Sequence, residues 1–414
     1  MGKYKSLKTC RICNSKKLIT YIDLGNQPLS NSFLKKNDIS KEKKFPLSVK
    51  LCIKCSLSQL SIVPDVKGIY NNYDYLSSSS KALRIHYKKL VEKLINKFNV
   101  KPTDTVIDIG CNDGILINNY PSKFKHIIGV EPSKVIKKIK NKKMKLYNNF
   151  FNLKLSKKLK EEINCPKIIT ITNVFAHVDK LHDFIAGLSN IINSKSVVVI
   201  EVPYLVHMIE NGYFDLIYHE HLSYITLTSV KKLLKNTKLR LFDFEKINFG
   251  ASGPSLRIFI TKKSYSKKVS IKVKKQIEFE KRWGINKIKK YKNFRNKVNT
   301  NIIKMNKILM KIDKKGLSIG CFTAPAKGNT LLNSLNLPKG LIKFVCENNK
   351  SKIGKFTPGT HIKVISDKDF LKQNIDFAIL LSWNYKNFFI QNSSFSKNGG
   401  RFIVPFPHPK IIKK

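Results

Sequence analysis

The chain has 414 residues, with 79 Lys and Arg against 27 Asp and Glu for a formal charge of +52, and the excess lysine is spread along its whole length rather than gathered in a nucleic-acid-binding patch. This length exceeds one ordinary core and predicts two or three domains, while a hydrophobic content of 42% excludes a globally disordered polymer. No apolar run approaches the roughly 20 residues of a membrane-crossing helix, and no apolar segment of signal-peptide type follows the N-terminal lysines, so a soluble, cytoplasmic protein is expected.

The first pattern along the chain is cysteine. Of eight cysteines, only Cys10, Cys13, Cys52 and Cys55 are patterned, as CRIC and CIKC. Two intervening residues let both sulfurs of a pair meet one tetrahedral ion at about 2.3 Å. Four thiolates close the coordination shell, so the expected ion is a structural Zn2+ in a reducing compartment. Residues 1–70 otherwise read as loop-rich, a small zinc-binding domain, and the run Ser77–Ser80 reads as a linker.

Residues 71–262 alternate helical and strand-like runs, the mark of an α/β sheet. KALRIHYKKLVEKLINKF predicts a helix. TVIDIG predicts a buried strand followed by a turn and a helix, and HIIGVEP, KIITITNV, SVVVIEVP and LRIFIT predict further strands. In VIDIGCNDGIL the glycines Gly110 and Gly114 flank Asn112 at the strand's carboxyl end, where open α/β sheets bind ligands. No third glycine completes a dinucleotide fingerprint, and no GxxxxGK[ST] loop is present. Glu131 ends the next strand, placed to accept both hydroxyls of a ribose. The turn and the acid together match S-adenosylmethionine (SAM) better than a pyrophosphate. Asn149 and Phe150 are candidates to hold adenine, and Asn173, after KIITIT, is placed at the mouth of the sheet.

Five of the nine histidines fall between His177 and His221, and two of them stand in YHEHLSY from Tyr218. His219 and His221 share a face only on a strand, and no third ligand for a catalytic metal is evident beside them. Farther on, residues 263–414 begin with one or two Lys-rich helices, with Gly284 a possible break, read as a solvated connector. GLSIGCF, LIKFVCEN, FAILLSW and GRFIVPF then predict a second α/β unit of nucleotide-binding type.

Taken together, CRIC…CIKC, YDYLSSSS, DIGCNDGIL, GVEPS, NVFAHV, IEVPYL, FDLIYHEHLSY, APAKGNTLLN and ENNKSKIGKFTPGTHI resemble, in order, the SAM-dependent C-methyltransferases of nucleotide-linked keto-deoxysugars. The resemblance implies a zinc-binding N-terminal region, a central Rossmann-like SAM domain and a C-terminal Rossmann-like α/β domain, with substrate held between domains. It further implies that His221 is a base that removes the proton beside the ketone, with Glu220 and Tyr218 next to it, His177 a second candidate, and Tyr75 the other active-site tyrosine. Lys327 and Asn329 in APAKGN would cradle a diphosphate, and Ser255 and Arg257 on the SLRIFI strand would touch substrate. The chain departs from the family at GCFT, where a glycine-aromatic-glycine run is usual before APAKGN, and at GASGPSLR. Two competing readings are a SAM-dependent methyltransferase acting on an oxygen or nitrogen of another small molecule, and a zinc-containing RNA-binding protein or RNA methyltransferase that uses the basic connector. Nucleic acid and membrane are not the expected partners, and the oligomeric state is not legible.

Overall fold

The computed structural model describes residues 3–65, 76–141, 143–248, 250 and 253–412. The hydrophobic runs of the middle region form a seven-stranded sheet. Its spatial order is Lys145–Tyr147, Ile127–Val130, Thr105–Ile109, Pro166–Thr172, Val197–Pro203, Ser255–Lys262 and Leu239–Ile247. The first five strands are parallel, and Ser255–Lys262 inserts antiparallel between its two neighbours. All five residues of Thr105–Ile109 are buried, because helices and turns cover both faces of a parallel sheet. Strand order reverses between Thr105–Ile109 and Pro166–Thr172, so the loops at their carboxyl ends part and leave a crevice there.

Beyond the glycine turn the expected helix is absent, and one 3-10 turn, Ile117–Asn119, stands in its place. Asn118 and Asn119 compete for backbone hydrogen bonds, and Pro121 cannot donate one, so a helix gains nothing by continuing.

The C-terminal unit repeats the plan. Its sheet runs Val364–Ile365, Ile342–Cys346, Ile319–Phe322, Phe377–Leu380, Arg401–Val404 and Lys410–Ile411, and only the last strand is antiparallel. A second switch point therefore opens between Ile319–Phe322 and Phe377–Leu380.

The N-terminal unit is not loop-rich. Leu18–Pro28 and Lys44–Cys52 are long antiparallel strands, extended by Ser58–Leu60. The sheet's fourth strand comes from YHEHLSY: Ser223 pairs with Gln59 and Tyr224 with Ser58. Sequence periodicity missed these strands because register irregularities interrupt the alternation between Thr20 and Ile22 and between Asp23 and Asn26.

The connector forms two helices, Ile271–Trp283 and Ile288–Asp313, separated at Gly284, whose φ of 89° only glycine adopts freely. It is solvated on one face only. Tyr291, Phe294, Val298, Met305 and Leu309 are buried, and the Tyr291 ring lies 4.7 Å from that of Tyr21 in the zinc-binding unit. From the first helix, the Glu280 carboxylate accepts from Tyr204 Oη at 3.0 Å, Leu227 N at 3.0 Å and Thr228 N at 2.8 Å. It thereby satisfies backbone donors at the start of helix Leu227–Leu233, one turn beyond YHEHLSY. Glu280→Ala strands those buried donors and is expected to cost about 2–3 kcal/mol, measured as a lowered urea midpoint, with Glu280→Gln intermediate.

Candidate active site

The two cysteine pairs close on one another across the knuckle turns. Cys10 Sγ lies 3.4 Å from Cys55 Sγ and Cys13 Sγ lies 3.5 Å from Cys52 Sγ, and all four sulfurs fall within 4.8 Å of one another. Both knuckles turn in the same way, with positive φ at Asn14 and Ser56 and backbone bonds from Asn14 N to Cys10 O and from Ser56 N to Cys52 O. Ile12 N also points at Cys10 Sγ, at 3.5 Å. A tetrahedral zinc with Zn–S of about 2.3 Å separates its sulfurs by about 3.8 Å, so these four thiolates fit the ion.

A cavity of about 460 Å³ lies at the switch point of the seven-stranded sheet. Gly110, Asn112, Glu131, Asn149, Phe150 and Asn173 all line it. Gly110 has a φ of 76°, and a Cβ there would meet Val174 Cγ2 at 2.1 Å, so both conformation and space demand glycine. Gly114 has a φ of 83° and shapes the end of the turn. Glu131 fastens the turn, accepting from Asn112 N at 3.2 Å and Ser133 N at 2.9 Å. Each carboxylate oxygen keeps a lone pair for a further donor such as a ribose hydroxyl. Asn173, at φ 58°, donates Nδ2 to Tyr87 Oη, while its buried Oδ1 has no partner among the described residues. Asp108, which the sequence reading passed over, sits at the cavity floor and accepts from Thr170 Oγ1, and burial pushes its carboxyl up to about 7.

The serine run is part of this site rather than a linker. Ser77 N donates to Asn112 Oδ1 and Ser78 N to Asp113 Oδ2, and Ser80 caps helix Lys81–Phe98 through Leu83 N.

A second cavity, of about 420 Å³, opens where the three units meet. Tyr218, Glu220, His221, Lys327 and Asn31 line it, and His177 and Asn173 line both cavities. His221 Nδ1 lies 2.8 Å from Leu216 O, and since a carbonyl only accepts, Nδ1 carries the proton. Nε2 is then the acceptor for Tyr218 Oη at 2.8 Å. Burial holds His221 down to about 4, and His177, whose ring centroid is 5.1 Å away, down to about 3, by burial first and by His221 second. Burial acts in the opposite sense on Glu220, raising it to about 7. His219 points the other way, its Nε2 3.3 Å from Pro46 O and its ring against Phe45 in the zinc-binding unit.

Other expected site residues are committed elsewhere. Arg257 Nε and Nη2 both bond Glu201 Oε2, at 3.1 and 3.0 Å, and Nη1 bonds Glu245, inside a buried ion network that includes His86. Ser255 Oγ donates to Gly253 O, and neither residue lines a cavity named above. Asn329 Nδ2 donates to Ser30 O, joining the C-terminal unit to the zinc-binding unit. Lys327 does reach the second cavity, where Nζ donates to Asn384 Oδ1 at 2.7 Å and lies 4.0 Å from the Trp383 ring centre. Burial lowers it to about 8, against the pull of Asp215. Tyr75 lies outside the described residues. At the GCFT departure, Thr323 adopts a φ of 66°, rare for a β-branched residue, and its hydroxyl bonds Ser382 Oγ at 2.8 Å.

These cavities can be set beside known proteins. Residues 10–70 match a family model described as "Putative zinc binding domain", 83–242 one described as "Methyltransferase domain", and 250–407 one described as "C-methyltransferase C-terminal domain". Over 411 residues the chain is 26% identical to the C-methyltransferase NovU of Streptomyces niveus, covering 99% of this chain and 97% of that one. A SAM-dependent methyltransferase of Anabaena variabilis aligns with 14% identity and a TM-score of 0.34 over 42% of this chain and 84% of its own. One from Archaeoglobus fulgidus aligns with 19% identity and a TM-score of 0.33 over 44% and 94%. The strand order, the glycine-turn cavity and the matched domains together define a SAM-dependent methyltransferase with a zinc site of four cysteines. Within that class it is a C-methyltransferase like NovU, with zinc-binding, methyltransferase and C-terminal domain models matched one after another along the chain.

Two outcomes are expected. Gly110→Ala should weaken SAM binding by calorimetry at least about tenfold, or about 1.4 kcal/mol, while zinc content stays unchanged. Cys52→Ser should lower zinc content by atomic absorption and destabilise the chain, since a three-thiolate remnant leaves the ion open to exchange.

Proposed function

We propose that this C-methyltransferase acts on a carbon next to the ketone of a nucleotide-linked deoxysugar, in the cytoplasm. The observation that carries the reading is the meeting of the two cavities at Asn173 and His177, with the His221 lone pair on the acceptor side. SAM, when bound, supplies an electrophilic methyl group. Everything else falls to the chain. His221 rests neutral at pH 7 with Nε2 as its basic atom, because Nδ1–H is spent on Leu216 O. As the acceptor enters, the Tyr218 hydroxyl leaves Nε2 and donates to the carbonyl oxygen, and Nε2 takes the proton from the adjacent carbon. An isolated base of such low proton affinity is weak, but here the imidazolium forms beside the enolate, and in a dry chamber that opposite charge raises its affinity for the proton. Glu220 accepts from a sugar hydroxyl.

An anionic acceptor is favoured by two features of the same cavity. Helix Ala326–Leu335 starts there without a side-chain cap, so the N–H groups of Ala326 and Lys327 and the Lys327 side chain offer donors to a diphosphate. The high positive charge of the chain also attracts anions. Among the described residues, no helix is long and apolar enough to cross a membrane. Thiolate ligation of zinc fits a reducing compartment.

The second reading, methylation of an oxygen or nitrogen, needs no carbon acidity. In D2O without SAM, the wild type is expected to exchange the proton beside the ketone of a nucleotide keto-sugar. His221→Ala should exchange it about 100-fold more slowly or worse while binding SAM normally. Methyl transfer by the wild type with no exchange would sink enolisation.

A further inference from the structure

The loop leaving strand Leu18–Pro28 supplies none of the four cysteines, yet it reaches the acceptor cavity. Its position is secured on both sides. Asn329 Nδ2 donates to Ser30 O at 2.7 Å, and Leu34 and Phe356 exchange backbone hydrogen bonds at 3.0 and 2.8 Å. Between these anchors, Asn31 Nδ2 donates to Glu220 Oε1 at 2.6 Å. Both residues line the cavity, and Glu220 is only 6% exposed.

We propose that Asn31 is a positioning residue for the acceptor: its amide holds the Glu220 carboxylate aimed into the cavity, so the zinc-binding unit completes the acceptor site. This rests on reading that cavity as the acceptor site. The surrounding charges support it. Lys352, whose Nζ donates to Ala324 O at 2.6 Å, is the cation that attracts Glu220, and His219 faces the zinc-binding sheet. His221 and Tyr218 bond each other, His177 packs on His221, and the Glu347 carboxylate is held by Ala324 N and Asn348 N. Burial pushes Glu220 up to about 7, and the Asn31 N–H, then Lys352, pull it down. Removing the amide therefore raises the Glu220 pKa further and leaves a larger share protonated at neutral pH. The carboxylate is lost as pH falls through that pKa, so the acid limb of a rate profile governed by Glu220 moves to higher pH.

The test pairs two readouts on the full-length zinc protein. Infrared difference titration against Glu220→Gln, without acceptor, reads the carboxyl directly. Asn31→Ala is expected to raise its apparent pKa by about one unit. With nucleotide keto-sugars, Asn31→Ala should raise the acceptor KM about tenfold or more and shift the acid limb of kcat/KM upward, with SAM affinity and zinc content unchanged. Asn31→Asp, which sets a second carboxylate beside the first, should shift the limb further and recover rate at alkaline pH. Identical titration of Glu220 in wild type and Asn31→Ala overturns the proposal, as does a uniform loss of rate with an unmoved limb. A shifted titration with no turnover of any keto-sugar keeps the Asn31–Glu220 contact and refutes the acceptor reading instead.

Discussion

The architecture depends on a two-residue strand. Ser223 and Tyr224 complete the zinc-binding sheet, and Leu60 N donates to Leu222 O just before them. Just upstream, the same segment presents Tyr218, Glu220 and His221 to the cavity between the α/β units. A loop carrying three ionisable groups into a dry interior has little intrinsic reason to stay there. Backbone pairing on one side and the packing of Thr330 Oγ1 onto Ile217 O on the other hold it in place. The Cys52 and Cys55 knuckle lies just before the strand that YHEHLSY pairs with, so a zinc ion held by the four cysteines would tie down the same sheet.

Burial is the other governing constraint, and it acts with opposite sign on neighbouring residues. Desolvation disfavours charge, so it keeps His221 and His177 neutral and pushes Glu220 toward protonation. Hydrogen bonds then decide each group's working form: Leu216 O selects the tautomer of His221, and the Asn31 amide favours the Glu220 carboxylate. The high overall charge plays no such local part. Lysines cover the outer faces of the connector helices, while the inner face of the second is mostly aromatic and aliphatic and that of the first carries Val273 with the hydrogen-bonded Gln276 and Glu280.

Much of the fold was legible because its signals are local. A short β-branched run such as TVIDI ending at Gly110 reads as a buried strand feeding a tight turn, and a CxxC pair carries its metal geometry within four residues. The zinc-binding sheet was not legible, because its long strands are irregular in register and its last strand is contributed by the segment carrying His221, far along the chain, with Ser223 pairing to Gln59. The serine run misled for a related reason. Ser77 and Ser78 show no periodicity that says what they touch, and their backbone N–H groups find partners only by meeting Asn112 and Asp113.

The sequence by itself determined most strands of the two α/β units, though not the edge strands Leu239–Ile247, Val364–Ile365 and Lys410–Ile411, together with the zinc ligands, the glycine turn and the presence of a histidine cluster, because spacing and side-chain chemistry suffice for each. Tertiary structure alone decided which members of that cluster face the second cavity. His219 and His221 are two residues apart, yet one is turned to Pro46 O and the other to the cavity. Likewise Arg257, a substrate-contact candidate in sequence, is consumed by Glu201, whereas Asn31, which carries no sequence signal, reaches Glu220 across 189 positions. Proximity of this kind is set by how three units pack, and a one-dimensional pattern holds no record of it.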